Sequence, residues 1–195
     1  MMMRRWPALA RTLPLAAAVM ALPACDGGNG FNPNRLTPDD VAAVYNVCEL
    51  RFVPSQTVLP AADLRTAVMN PAPPAPRQAP SLAVGGFQYD LVYTRKSDNF
   101  LQQLRGAVAY GSNEIELRFF SGDTPTGAAA ELLLPDELTL AFQAAPRRLT
   151  SSGAGNLNYS VRRADYARAA GISEQNLSER IEGQLSARFQ EGACP

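Results

Sequence analysis

The feature that most constrains this chain is a period of two in its apolar residues, repeated in many short segments. In the clearest segment Ile115, Leu117 and Phe119 alternate with charged neighbours. Comparable alternation occurs in the segments 41–52, 81–93, 104–110, 138–142, 157–161 and 178–190. Such alternation is typical of strands that bury one face, because successive side chains point to opposite sides. Seven or eight such strands predict an all-β, mainly antiparallel domain, built as a single up-and-down barrel or, as second choice, a β-sandwich.

A glycine pair and a proline-rich stretch interrupt the alternation. The apolar residues before Gly85-Gly86 have the opposite parity to those after it, which predicts a β-bulge that resets the two faces. Residues 70–80 contain five prolines, and proline removes hydrogen-bond donors that a central strand needs. This stretch therefore predicts an exposed loop.

One short helix and one ambiguous segment complete the pattern. Residues 163–171 predict a helix that ends at Gly171. In the segment 178–190 the apolar residues recur every four positions, which suits a helix, yet they also alternate with polar neighbours. Gly183 would disfavour a helix by about 1 kcal/mol relative to alanine, so we predict a strand.

The first 25 residues carry the pattern of an export signal. Three arginines, Arg4, Arg5 and Arg11, precede an apolar run at 13–22. This run is too short to span a bilayer but suits the hydrophobic region of a secretory signal. The run leads into the sequence LPAC at 22–25, which resembles the lipobox of bacterial lipoproteins. This resemblance implies that residues 1–24 are removed and that the sulfur of Cys25 carries a diacylglycerol with palmitate-type chains. An ordinary signal peptide that is cut nearby is the alternative.

The same resemblance implies where the protein is located. It places the chain in the bacterial cell envelope, lipid-anchored to a membrane, with its body in the periplasm or at the cell surface; the inner and the outer membrane both stay open. Residues 25–40 are rich in Gly, Asn and Pro and predict a flexible tether. Residues 41–195 are then expected to form a single β-domain, in which no second apolar run is long enough to span a bilayer.

Composition excludes several classes of function. The chain has 18 basic and 18 acidic residues, without the basic excess that predicts nucleic-acid binding. Histidine is absent, which removes the commonest general base and metal ligand, and with them Ser-His-Asp, Cys-His and histidine-zinc chemistry. Glu114 and Glu116 share a strand face, but it is the polar face and is expected in solvent. We therefore expect no enzymatic activity, no cofactor and no metal site.

The two cysteines other than Cys25, Cys48 and Cys194, predict a disulfide bond. The compartment that exported proteins reach is oxidising, which favours pairing of thiols; two buried free thiols are the alternative. Since disulfide-bonded Cα atoms lie about 4.4–6.8 Å apart, the bond would bring the first strand and the end of the chain together. This proximity favours a barrel but leaves the sandwich open.

A second resemblance concerns the hairpins of the body. The run LRGAVAYGSNEIELRFFSGDTPTG, followed by PDELTLAF, is similar to the repeated hairpins of small bacterial lipocalin-like proteins. An eight-stranded barrel of that kind is just wide enough to hold one small ligand. The aromatic residues that could line an apolar pocket, with phenol hydroxyls to orient a ligand, are Phe87, Tyr89, Tyr93, Tyr110, Phe119 and Phe142. Plain filling of the core by the same residues is the alternative.

Two functions fit these observations. The first is non-enzymatic binding of a small apolar ligand or lipid inside the barrel. The alternative is a structural or accessory subunit of a cell-envelope protein complex, with a filled core, no ligand, and long edge strands as its docking surface. The two functions differ in whether the barrel interior is hollow or filled.

Overall fold

The computed structural model describes residues 35–120, 124–151 and 158–195. Within these ranges one antiparallel sheet contains the strands β1 (Ala43–Pro54), β2 (Ala62–Asp63), β3 (Ser81–Gly85), β4 (Gln88–Thr94), β5 (Leu101–Tyr110), β6 (Glu114–Arg118), β7 (Glu137–Ala144), β8 (Arg147–Ser151), β9 (Tyr159–Arg162) and β10 (Arg180–Gln190). The accompanying short helices are α1 (Pro38–Val41), α2 (Leu64–Ala67), α3 (Gly127–Glu131) and α4 (Arg163–Ala170).

Eight of these strands close into a barrel. In the order β1-β3-β4-β5-β6-β7-β8-β10 each strand pairs with the next, and β10 pairs back to β1. Val47 lies opposite Phe189 in this closing pair, while β2 and β9 continue the outer edges of β1 and β10. The predicted up-and-down barrel is confirmed, the sandwich alternative is wrong, and the ambiguous final segment is a strand. At the level of the fold, the barrel is consistent with the lipocalin-like resemblance.

Alternation places the apolar residues inside the barrel. Ile115 and Leu117 on β6 are fully buried, whereas Glu114 and Arg118 on the same strand are exposed. The largest side chains with almost no exposure are Tyr45, Tyr89, Tyr93, Tyr166, Phe52 and Phe189. Burying an aromatic side chain of this size stabilises a fold by about 1.5–3 kcal/mol, so the aromatic interior is a main source of stability.

Two glycines make room for aromatic rings inside the barrel. A Cβ atom at Gly106 would lie 2.5 Å from the hydroxyl of Tyr89, and one at Gly183 would lie 2.5 Å from the ring of Phe52. Phe52 also packs edge-to-face against two tyrosine rings, at centroid distances of 5.5 and 5.9 Å. Gly183, which disfavours a helix in the last segment, is therefore the residue over which the Phe52 ring lies.

The barrel has two different ends, which we call the turn end and the helical end. The turn end holds the hairpins β3–β4, β5–β6 and β7–β8 and the beginning of β1. The helical end holds the longer connections, which contain α2, α3 and α4. The predicted helix is α4, and it ends at Gly171, whose φ of +67° is a left-handed conformation that glycine favours at helix ends. Residues 70–80 form the predicted loop, which is largely exposed.

The last part of the predicted tether folds onto the turn end. Leu36 donates its N–H to the carbonyl oxygen of Gly111 at 2.8 Å. The Asp40 carboxylate accepts hydrogen bonds from the N–H and the hydroxyl of Thr37, at 2.7 and 2.6 Å. The helix α1 begins at Pro38, directly after Thr37. The ordered body therefore starts before residue 41, because a capped turn of helix follows the Gly- and Asn-rich stretch.

Two local features differ from the expectations. Gly85-Gly86 is not a bulge but part of the hairpin turn between β3 and β4, with a φ of +59° at Gly86. The buried residues change parity there because the turn has two residues, which places Val84 opposite Tyr89 and Leu82 opposite Leu91. A bulge lies instead in β1, where the register shifts between Val47 and Glu49 and makes Cys48 the extra residue.

Cys48 forms the predicted disulfide bond with Cys194. Their Cα atoms lie 5.3 Å apart, and 146 positions separate the two residues in the sequence. The bond joins the end of the chain to the first strand of the barrel.

Several predictions fall outside the described residues. They are the signal peptide at 1–24, the lipidation site Cys25, the tether residues 26–34 and the first residue of the strand predicted at 157–161. The described part of that strand is β9. None of the helices in the described ranges has the length and apolar character needed to cross a membrane.

Candidate functional site

The barrel interior is the ligand site predicted from the sequence. Of the aromatic residues expected to line it, Tyr89, Tyr93, Tyr110 and Phe119 are buried there. The rings of Tyr89 and Phe119 pack edge-to-face with their centroids 5.4 Å apart. The interior therefore brings four of the predicted residues into one core.

The other two predicted residues lie elsewhere. Phe142 on β7 is half-buried and packs against the core from its margin. Phe87 lies in the β3–β4 turn and is 69% exposed, with its ring edge-to-face on Tyr110 at 5.9 Å. The sequence predicts that Phe87 faces the same way as Tyr89, because both belong to one alternating run. The β3–β4 turn ends that run before Phe87, and the sequence pattern did not predict the position of this turn.

Each of the six tyrosine hydroxyls donates a hydrogen bond to another group of the protein. Five of them donate to backbone carbonyl oxygens: Tyr45 to Val41, Tyr166 to Pro60, Tyr110 to Gly86, Tyr89 to Arg118 and Tyr159 to Leu133. The sixth, Tyr93, donates to a carboxylate oxygen of Glu131. A phenol has one O–H donor, so each of these donors is already used. The hydroxyls that could orient a ligand instead fix the tyrosines in the core.

Burial raises the pKa of all six tyrosines above the ordinary value. The largest cause in each case is desolvation, which disfavours the charged phenolate. For Tyr45 the pKa is raised to about 12.

Titration with base should therefore unfold the protein before its tyrosines ionise. Above about pH 10, the ordinary tyrosine pKa, the folded protein retains protons that the unfolded chain releases, so the free energy of unfolding falls as the pH rises. We expect tyrosinate absorbance to appear together with the loss of the near-ultraviolet circular dichroism signal. Smooth ionisation centred near pH 10 in a protein that stays folded would contradict the buried hydroxyls.

A second candidate site lies outside the barrel, at the β4–β5 turn formed by residues 95–100. Phe100 and the following Leu101 are 67% and 60% exposed. The Asp98 carboxylate accepts hydrogen bonds from the N–H of Phe100 at 3.0 Å and from the Arg95 guanidinium at 2.6 and 3.1 Å. The Arg95 bonds and the Phe100 N–H hold the pKa of Asp98 below its usual value. The turn thus presents an exposed aromatic side chain on a backbone fixed by an ionised carboxylate.

The β4–β5 turn is also attached to two helices. The third nitrogen of the Arg95 guanidinium, Nη1, donates a hydrogen bond to Glu131 of α3 at 2.6 Å. Lys96 donates from its backbone N–H to the carbonyl of Val68 and from Nζ to the carbonyl of Thr66, both at 2.8 Å, beside α2. A cavity of about 130 Å³ lies between the turn and the helices, and its lining includes Arg95, Glu131, Asp165 and Arg168.

The charges around this cavity are paired. Asp165, 7% exposed, accepts hydrogen bonds from Arg162 at 2.7 Å and from Arg168 at 3.2 Å, while Arg95 holds Asp98 and Glu131. Among the described residues, no three His, Cys, Asp or Glu side chains are grouped closely enough to hold a metal ion. Aromatic side chains such as that of Phe100 are enriched at surfaces that contact another protein.

The sequence carried little signal for this second site. The composition of residues 95–99 predicts a polar turn, which is what the structure contains. Phe100 directly follows Asn99, whose φ of +58° lies in a region where asparagine is enriched. An asparagine before two apolar residues occurs in many hairpins and does not reveal which way the side chains face.

Comparison with known proteins finds no matching family model, no matching curated protein and no matching solved structure.

Proposed function

We propose that this protein is a lipid-anchored accessory subunit of a cell-envelope complex, which binds another protein through the β4–β5 turn. Cys25 is its anchor, and the barrel is a filled scaffold that carries the docking surface. The lipobox-like sequence at 22–25 supports the anchor, since a diacylglycerol on one sulfur can replace a membrane span.

The observation that carries the proposal is the use of every tyrosine hydroxyl within the protein. A ligand that entered the interior would have to displace packed rings and break their hydrogen bonds, each of which contributes about 0.5–1.5 kcal/mol to stability. Binding of a small apolar ligand in the barrel stays a prediction, but this packing gives the accessory function the stronger support.

Closure of the barrel bears on how a partner would bind. Each of the eight barrel strands pairs on both sides, and a closed sheet offers few unpaired backbone groups for an added strand. Long edge strands as the docking surface therefore receive little support. Docking through side chains is favoured instead.

The β4–β5 turn supplies side chains of the right kind. Phe100 and Leu101 expose apolar surface, while Arg95, which is paired with Asp98 and Glu131, holds the turn that presents them. Aromatic residues are enriched at protein interfaces. Because Asp98 and two helices already hold the turn, little conformational entropy is lost when a partner binds.

The experiment places a photo-crosslinking amino acid at position 100 in cells that contain the full-length protein. The matched control carries it at Ala109, which is exposed on the same strand, β5, near its other end. We expect one discrete crosslinked species at position 100, at least about tenfold more abundant than at 109, and its loss when Asp98 is replaced by alanine. Equal crosslinking at both positions, or none at position 100, would contradict docking through this turn.

A further inference from the structure

The β3–β4 turn at the opposite end holds an aromatic side chain in solvent. It is a two-residue turn, Gly86-Phe87, in which glycine occupies the first central position with a φ of +59°, the pattern of a type II′ turn. The Phe87 carbonyl accepts a hydrogen bond from the N–H of Val108 at 2.9 Å, and the hydroxyl of Tyr110 donates to the carbonyl of Gly86. The turn is therefore fixed, yet Phe87 is 69% exposed.

The surface next to Phe87 is mostly uncharged. A groove of about 420 Å³ on the outer face of β1, β3 and β4 is lined partly by Val44, Ala83 and Gly85, and Val44 is 62% exposed. The charged residue of this groove, Asp90, is paired with Arg105 at 2.6 Å. At another point of the turn end, the tip of the β7–β8 hairpin exposes the apolar residues 144–146.

The segment that precedes the first strand contacts the barrel at the turn end. The Nε of Arg35 donates to the carbonyl of Tyr110 at 2.6 Å, and Tyr110 is the residue on which the Phe87 ring packs. Only residues 26–34 separate Arg35 from Cys25. A flexible chain of this length has a root-mean-square span of roughly 17 Å, whereas β1, the longest strand with 12 residues, covers about 40 Å and thus about 30 Å along the axis of a barrel whose strands are tilted.

We infer that the turn end faces the bilayer and that Phe87 inserts into the lipid interface. The inference rests on the proposed acylation of Cys25, which fixes the turn end nearer to the membrane than the helical end. Phenylalanine is among the apolar side chains that bury at the boundary between headgroups and acyl chains, about 5–10 Å deep. The partner is the lipid surface itself, and contact with it orients the β4–β5 turn away from the membrane.

The test measures depth with tryptophan fluorescence in the acylated mature protein, which begins at Cys25, reconstituted in vesicles of phosphatidylcholine and phosphatidylglycerol with brominated acyl chains. The variant is F87W, and the control is V58W, because Val58 is 87% exposed in the β1–β2 connection at the helical end. Trp6, the one tryptophan of the chain, lies in the segment 1–24 that is removed when Cys25 becomes the first residue, so each mature variant contains a single tryptophan. We expect brominated lipid to lower the fluorescence of F87W at least about twofold, consistent with insertion at the interface, and to leave V58W unchanged.

The outcomes separate the inference from the proposed anchor. If the protein carries acyl mass on Cys25 and floats with vesicles but F87W and V58W are quenched equally or not at all, the anchor stands and the insertion of Phe87 is overturned. If Cys25 carries no acyl mass, the anchor is wrong, and the orientation derived from it is overturned as well.

Discussion

Replacement of both Cys48 and Cys194 by serine should lower the free energy of unfolding by about 5 kcal/mol. The bond joins residues 146 positions apart and so closes a loop that contains almost the whole body. In the chain-entropy description, a cross-link stabilises a protein by restricting the unfolded chain, and the effect grows with the length of the loop. Because the antiparallel pairing of β1 with β10 does not depend on the bond, the loss should arise mainly from the unfolded state.

Urea unfolding, followed by circular dichroism, measures this difference between the C48S/C194S variant and the oxidised protein. The control is the reduced wild-type chain, which should unfold at the same urea concentration as the variant. A difference below about 1 kcal/mol would mean that the bond restricts the unfolded chain far less than its loop length implies.

Replacement of Gly106 by alanine should destabilise the protein by about 3 kcal/mol, since overpacking of a core typically costs about 1–3 kcal/mol and a displaced hydrogen bond adds about 1 kcal/mol. The added Cβ would lie 2.2 Å from the carbonyl oxygen of Arg118 and 2.5 Å from the hydroxyl of Tyr89. These two groups are hydrogen-bonded to each other at 3.0 Å. The methyl group would therefore displace the ring and separate this donor from its acceptor.

Gly85→Ala is the matched control for Gly106→Ala. A Cβ at Gly85 meets no atom within 4 Å, and its φ does not require glycine, so its free energy of unfolding should change by less than about 0.5 kcal/mol. Both variants are compared by urea unfolding. Equal stability of the two variants would show that the Tyr89 ring is free to move away from Gly106, and would contradict a tightly packed interior.

Much of the fold could be predicted because it depends on a local pattern. The period of two reports directly which residues face the core, as on β6, and Gly183 marked the last segment as a strand. Closure of the barrel depends on pairing between β1 and β10, which are far apart in the sequence. The two cysteines were the one long-range signal for closure of the barrel. That signal favoured a barrel but left the sandwich open.

The sequence could not predict what occupies the core. Five of the six tyrosine hydroxyls donate to backbone carbonyls, which every residue possesses and no motif marks. The same aromatic residues would fit a hollow barrel or a filled one. Similarly, Phe87 and Phe100 lie in turns, directly after Gly86 and Asn99, where the alternation of the strands does not apply.

The packed interior can be tested most directly by native mass spectrometry of the mature protein, released from membranes in mild detergent. If Cys25 is acylated as proposed, the mass is that of the residues from Cys25 onward plus the acyl groups, and we expect no further molecule to be released when the barrel is unfolded. An apolar molecule that is bound one to one and is released only on unfolding would show that the barrel is a carrier and would contradict the filled core.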